Sequence, residues 1–414
     1  MAEPRPQIPY FKEFLPTPVC IVLSLFFAMV FQFNGGVFLP AATQMSSALG
    51  CIQEDVTMAG YASFIGMLMV VWICVMCLTR TIRLGKKIPL YGIDWIGLLL
   101  WTVMLFAIVF ICIYGDFYDW LDSVQIRSCI VIAVVSLLIN INRMTSIRHP
   151  YIDPQVFRYK KFPVVLFLFL MLCLFLTTSS VLQNAFMTSI LQYDTLNAIS
   201  LNWCVFAGIL AGAGIVFFRQ AVLKKGYKLL ISFGFTLIVM YQYYMYFLIY
   251  PDLNIESLYL PNFLKGIGHG VLYISLTIYV AKHIPFKHFF QSLCVLSFIR
   301  TSIATPLGAA ILNRWMKHLQ RDNWGLLSRN MDNLHEWMPD VSLMQLYEEV
   351  NTQTMLTSLK ELFGWICLLG TVFLVIVLSY RIWRDRHLAA LKMLHSLPVK
   401  KRYRPSSIHK ISKN

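Results

Sequence analysis

Residues 258–281 read LYLPNFLKGIGHGVLYISLTIYVA, and residues 290–312 read FQSLCVLSFIRTSIATPLGAAIL. Each run is long and apolar enough to cross a bilayer, which takes about 20 residues in helical form. Between them they carry Lys265, His269 and Arg300. A cation at the centre of a membrane helix costs roughly 2.5 to 3.5 kcal/mol on insertion scales, so it persists where it faces a bundle interior or a wet cavity. Lys265 and His269 stand four apart and share one helical face, while Gly266 and Gly270 form a Gly-x-x-x-Gly pair on the neighbouring face. One side is therefore shaped to press against another helix, and the other offers positive charge. Two readings stand for each cation: a structural one, snorkelling to a headgroup or bonding a neighbour's carbonyl, and a functional one, lining a binding site.

Composition agrees with a membrane setting. Of 414 residues, 58% are hydrophobic and 13% charged, with a mean hydropathy of +0.64, whereas a soluble domain is about 25% charged. The net charge of +15 sits in loops between apolar runs and in the tail, which argues against a nucleic-acid role. All ten cysteines except Cys51 fall within or beside apolar runs, where the thiol behaves as a small hydrophobe. Cys74 and Cys77 have no histidine or carboxylate near them in sequence, so a metal site is not expected. No cofactor is implied.

Ten spans are expected, over about 19–38, 58–78, 95–114, 124–141, 162–182, 200–218, 229–250, 258–281, 290–312 and 362–382. The polar start, MAEPRPQIPYFKEF, is too long for a cleaved signal peptide, so the first span is expected to stay. Lys and Arg then set the orientation. The loops after the second, fourth, sixth and eighth spans carry four, five, four and two of them, and the tail from Arg381 carries ten. The alternate short loops carry none except Arg127. Both termini are thus expected in the cytoplasm, with Cys51 outside. The stretch from Asn313 to Glu361 is expected to be a long, solvated outer loop with helix in Ser342 to Leu359. A kink is expected at Pro306 and Gly308.

Several stretches fall in a telling order. Gly92-Ile93-Asp94-Trp95-Ile96-Gly97 opens the third span, and Arg148-His149-Pro150 with Val156-Phe157-Arg158 leads into the fifth. Lys265-Gly266-Ile267-Gly268-His269-Gly270, Arg300, Gln353-Thr354-Met355-Leu356 and the basic tail follow. Together they resemble the fourteen-span drug:proton antiporters of the major facilitator superfamily, the EmrB/QacA type, over roughly residues 84–385. Val37-Phe38-Leu39-Pro40 resembles the end of that family's first-helix motif, but the motif's aspartate has no counterpart. Gln32 and Asn34 are the only polar residues near its place, and Asn34 joins the candidate site on that ground.

The resemblance implies an all-α integral membrane fold of about ten helices. Residues 1–90 would be the remnant of an N-terminal transporter half with two spans, four helices fewer than in the family. Residues 91–161 would be a central two-helix insert, 162–385 a whole six-helix C-terminal half, and 386–414 a basic cytoplasmic tail. It further implies a multi-pass protein of the bacterial inner membrane that exports small, drug-like molecules in exchange for protons, with a membrane-fusion or outer-membrane efflux partner. Lys265, His269, Arg300 and Asn34 are the candidate substrate-binding residues. His269 is also the candidate proton carrier, since imidazole titrates near neutrality. The competing expectation is a truncated, non-transporting membrane protein or interaction partner. No enzymatic activity is expected, because no His-Glu-x-x-His or Gly-x-Ser-x-Gly motif occurs. Lys265 and Arg300 should differ in depth by roughly 8 Å and share a polar cavity.

Overall fold

A computed structural model describes residues 45–62, 65, 94–147, 150–159, 161–193, 197–223, 226–284, 286–329 and 342–396. Among these the secondary structure is helical, with no strand. Among the described residues eight helices are long and apolar enough to cross a membrane, and they fit a multi-pass membrane protein. In chain order they are α1 (Trp95–Tyr114), α2 (Val124–Ser146), α3 (Phe162–Ser189) and α4 (Asn197–Phe217). After them come α5 (Tyr227–Leu248) and α6 (Tyr259–His283). The seventh, α7, comprises Phe286–Phe298, a wide turn at Ile299–Ala304, and Thr305–Arg329. The last, α8, runs over Leu343–Ser396. They correspond to the third through tenth expected spans. The first span and most of the second lie outside the described residues.

The ends of these helices follow from local chemistry. Asp94 caps α1 by accepting from the Gly97 backbone N–H at 2.9 Å, and the same carboxylate pairs with Arg143 near the end of α2 at 2.8 Å. That one buried side chain both starts α1 and pins α2 beside it. Ser123 caps α2 through the Ile126 N–H, and Pro163 occupies the first turn of α3, where its missing N–H costs nothing. Between α2 and α3, Tyr151, Ile152 and Val156 are buried. Asp153 accepts from the Gln155 N–H and lies 3.8 Å from His288 of α7.

Packing is layered around α6. It lies against α4 on one side and α5 on another, and also touches α3 and the start of α7. One hydrophobic cluster runs from Ile65 and α1 through Tyr151 and Val156 into α3, α6 and α7. A second joins α3, α5, α7 and α8 around Phe186, Phe235, Tyr241 and Phe363. The α1–α2 pair is fastened to the rest mainly by α1 against α7.

The expected outer loop is a correction. Helix α7 continues to Arg329 and α8 already begins at Leu343, so Asn313 to Glu361 is chiefly two antiparallel helices, with 330–341 outside the described residues. The cause is a seam of contacts at helical spacing. Met316, Leu319 and Asn323 on α7 are buried, as are Val350, Thr354 and Ser358 on α8, and Asn323 Nδ2 donates to Ser358 Oγ at 3.0 Å. The helix foreseen in Ser342 to Leu359 is the opening part of α8. The irregularity foreseen at Pro306 appears one turn earlier, as the π turn at Ile299–Ala304. Pro306 has no N–H for the preceding turn, and Thr305 Oγ1 donates to the Arg300 carbonyl at 2.8 Å.

Candidate functional site

Three glycines of α6 set the site's position. A Cβ on Gly266 would lie 2.3 Å from the Val205 carbonyl oxygen of α4, and one on Gly270 would lie 2.9 Å from that of Ile209. On α4, a Cβ on Gly208 would come within 2.4 Å of the Phe263 carbonyl. Gly268 meets α5 in the same way, 2.9 Å from the Gly234 carbonyl. Backbone thus touches backbone on two sides of α6, as small residues permit in membrane bundles.

The remaining face carries Asn262, Lys265, His269 and Tyr273, all buried. They form a stripe of about 16 Å along the axis at 1.5 Å per residue. Lys265 is 7% exposed and His269 5%, so both look into protein. Lys265 Nζ donates to Asn262 Oδ1 at 2.7 Å and stands 5.2 Å from the centre of the Tyr241 ring of α5. Asn262 is oriented for this, because its amide nitrogen donates to the Leu258 carbonyl at 2.8 Å. Arg300 is half-buried and sits in the π turn of α7, its guanidinium carbon 5.1 Å from the centre of the Tyr273 ring. His269 lies within electrostatic reach of both Arg300 and Lys265. Turns of π type are frequent at functional sites, and here one positions Arg300.

A second layer of polar groups extends the site into α3 and α5. Tyr241 Oη donates to Gln183 Oε1 at 2.7 Å, and Gln183 belongs to another π turn, Ser179–Gln183. Beside them Gln242 Nε2 donates to the Phe175 carbonyl at 3.1 Å and to Thr178 Oγ1 at 2.7 Å. Sequence reasoning did not single out Asn262, Thr178, Gln183, Tyr241, Gln242 or Tyr273. A signal existed for the α3 residues, since Thr177-Thr178-Ser179-Ser180 and Gln183 interrupt an otherwise apolar span.

Of the expected site residues, the structure gathers Lys265, His269 and Arg300, while Asn34 lies outside the described residues. No family model and no curated protein matches the chain. Among the described residues no group of three or more His, Cys, Asp or Glu is placed to hold a metal ion; Cys74 and Cys77 lie outside them. The arrangement is chemically a cationic stripe with aromatic walls, enclosed by α3, α5, α6 and α7. Its Lys265 and Arg300 side chains carry positive charge and N–H donors.

Proposed function

We propose that this chain is a transmembrane transporter of the major facilitator type. In this reading α3 to α8 form one six-helix half (162–385), α1 and α2 the central insert (91–161), residues 1–90 a reduced N-terminal half, and 386–414 a cytoplasmic tail. It exports small, drug-like molecules across a bacterial inner membrane in exchange for protons, with both termini cytoplasmic and an envelope efflux protein as partner. The observation that carries this reading is the burial of Lys265 and His269 inside the bundle, on the face of α6 that its glycines leave free. Such transporters hold their substrate near the bilayer midplane between helices, and charge kept within a span marks such a path.

A second reading is a non-transporting membrane protein. It is favoured by the way Asn262 and Tyr241 already engage Lys265, as they would a purely structural cation. Flux of a fluorescent drug panel in proteoliposomes under an imposed pH gradient separates the two. Transport driven by the gradient and reduced at least tenfold by Lys265→Met is expected. A monodisperse, folded protein that moves nothing would establish the second reading.

A further inference from the structure

A cleft lined by none of the residues of the cationic stripe lies between the end of α5 and α8. Its volume is about 510 Å³, within the roughly 300 to 1,000 Å³ of small-molecule sites. Tyr246 and Tyr250 line it from the α5 side, and Gln353, Thr357, Lys360 and Glu361 from α8. The sequence puts this cleft at a membrane boundary. Lys360 and Glu361 are the last charges on α8 before the uncharged run 362–380, and α5 carries none from Leu229 to its end. Tyrosine is enriched at that level, with its ring among apolar groups and its hydroxyl toward water. The charges in the cleft are of both signs. Lys360 Nζ stands 5.7 Å from the centre of the Tyr246 ring, an attraction that keeps the ammonium at the aromatic wall. Glu361 is held by Asn323 of α7, whose Nδ2 donates to Oε2 at 3.4 Å. Neighbouring residues on a helix do not face each other, so the ammonium and the carboxylate are separate handles for the two ends of one ligand.

We propose that this cleft binds the headgroup of a zwitterionic phospholipid of the ethanolamine type, with its phosphate on Lys360, its ammonium on Glu361 and its acyl chains along the seam of α5 and α8. A phosphodiester supplies charged acceptors for the N–H donors of Lys360, and Gln353 and Thr357 add polar groups on the same wall. The ammonium of the lipid donates to the carboxylate, and the tyrosine rings attract it further. A wholly anionic headgroup would meet Glu361, and a lipophilic cation would meet Lys360, so the pair selects a ligand that carries both charges. The seam suits the chains. A Cβ on Gly364 would lie 3.4 Å from the Tyr246 ring, and the hydroxyls of Tyr243 and Thr371 bond at 2.8 Å. Phe247 and Leu368 stand four residues on from Tyr243 and Gly364, on the same helical faces. They are 71% and 59% exposed and offer apolar surface to the acyl chains. The inference needs only a membrane setting and holds whether or not the chain transports.

The test uses the full chain in nanodiscs that hold equal amounts of phosphatidylethanolamine and phosphatidylglycerol with identical acyl chains. Native mass spectrometry of the released protein counts the lipids that stay bound. An excess of the ethanolamine lipid is expected, weakened about tenfold by Lys360→Met and by Glu361→Gln alike, as the loss of one charge-assisted bond would do. Should Lys360→Met aggregate, Lys360→Gln takes its place. Lys360→Arg should keep the excess, and Arg321→Gln on α7 should leave it unchanged. An excess of the glycerol lipid that depends on Lys360 and not on Glu361 would overturn the proposal in favour of a plain anion site. Equal retention of the two lipids, or an ethanolamine excess indifferent to Lys360 and Glu361, would overturn it as well and leave only bulk lipid on this face.

Discussion

Helices α2 and α6 both pass for membrane spans, yet they sit in opposite places. The more apolar α2 is peripheral: only Ile126, Ser136 and Asn140 are buried along it, and Leu138 is 60% exposed. The less apolar α6, with three glycines, two lysines, an asparagine and two histidines, is the most enclosed of the eight. In water the apolar helix would be inside. In a bilayer lipid is as apolar as leucine, so burial goes to helices whose small residues allow close backbone approach and whose polar groups need partners. The candidate site is therefore found where the hydropathy is weakest.

The largest effect expected from this contrast is at Gly266. Gly266→Leu drives a side chain into the α4 backbone, which cannot yield as a flexible side chain would, and should cost about 3 kcal/mol or more. Loss of a monodisperse peak in size-exclusion chromatography would report it. On α4 itself, Gly214 has open space around a Cβ, so Gly214→Ala should be neutral or stabilising by up to about 1 kcal/mol. An equal penalty at both positions would show that the close approach of α4 and α6 is not what the glycines serve.

Next comes the fastening of α1 to α2. Asp94→Ala removes a cap and a charge pair and should cost about 2 kcal/mol, whereas Asp94→Asn keeps the cap and should cost about half of that. Thermal unfolding in detergent distinguishes them, and identical losses would mean that the Arg143 pair contributes nothing. Within the bundle, Gln242→Leu gives up two hydrogen bonds and should cost about 1 kcal/mol, in line with other interhelical bonds in membranes. The smallest effect belongs to α2: Leu138→Ala should change stability by less than about 0.5 kcal/mol. A loss at Leu138 matching that at Gln242 would break the comparison, because the α2 face would then be packed against protein.

The positions of α1 to α8 were legible because an apolar run of membrane length has few other uses. The pairing of Gly266 and Gly270 with another helix was legible for a related reason: two small residues on one face prescribe close contact without saying with which helix. What the sequence concealed was the continuation of α7 and α8 beyond the apolar stretch. Charges at Arg314, Lys317, Arg321 and Asp322 suggest a loop, but they alternate with Met316, Leu319 and Asn323, which are buried against α8. The clustering of Lys265, His269 and Arg300 was foreseen from their rarity in spans. Their partners were not, because Tyr241 and Tyr273 look like ordinary span aromatics until helix packing brings one to Lys265 and the other to Arg300.

The polar face of α6 looks into protein, while the apolar face of α2 is exposed and free to meet lipid. The most direct test is nitroxide accessibility in bilayers, with spin labels at position 269 and at position 138 of a variant whose native cysteines have been replaced. Position 138 should collide freely with dissolved oxygen, and position 269 should be shielded from it several-fold. Equal oxygen accessibility at the two positions would contradict the account, placing His269 and its neighbour Lys265 against lipid.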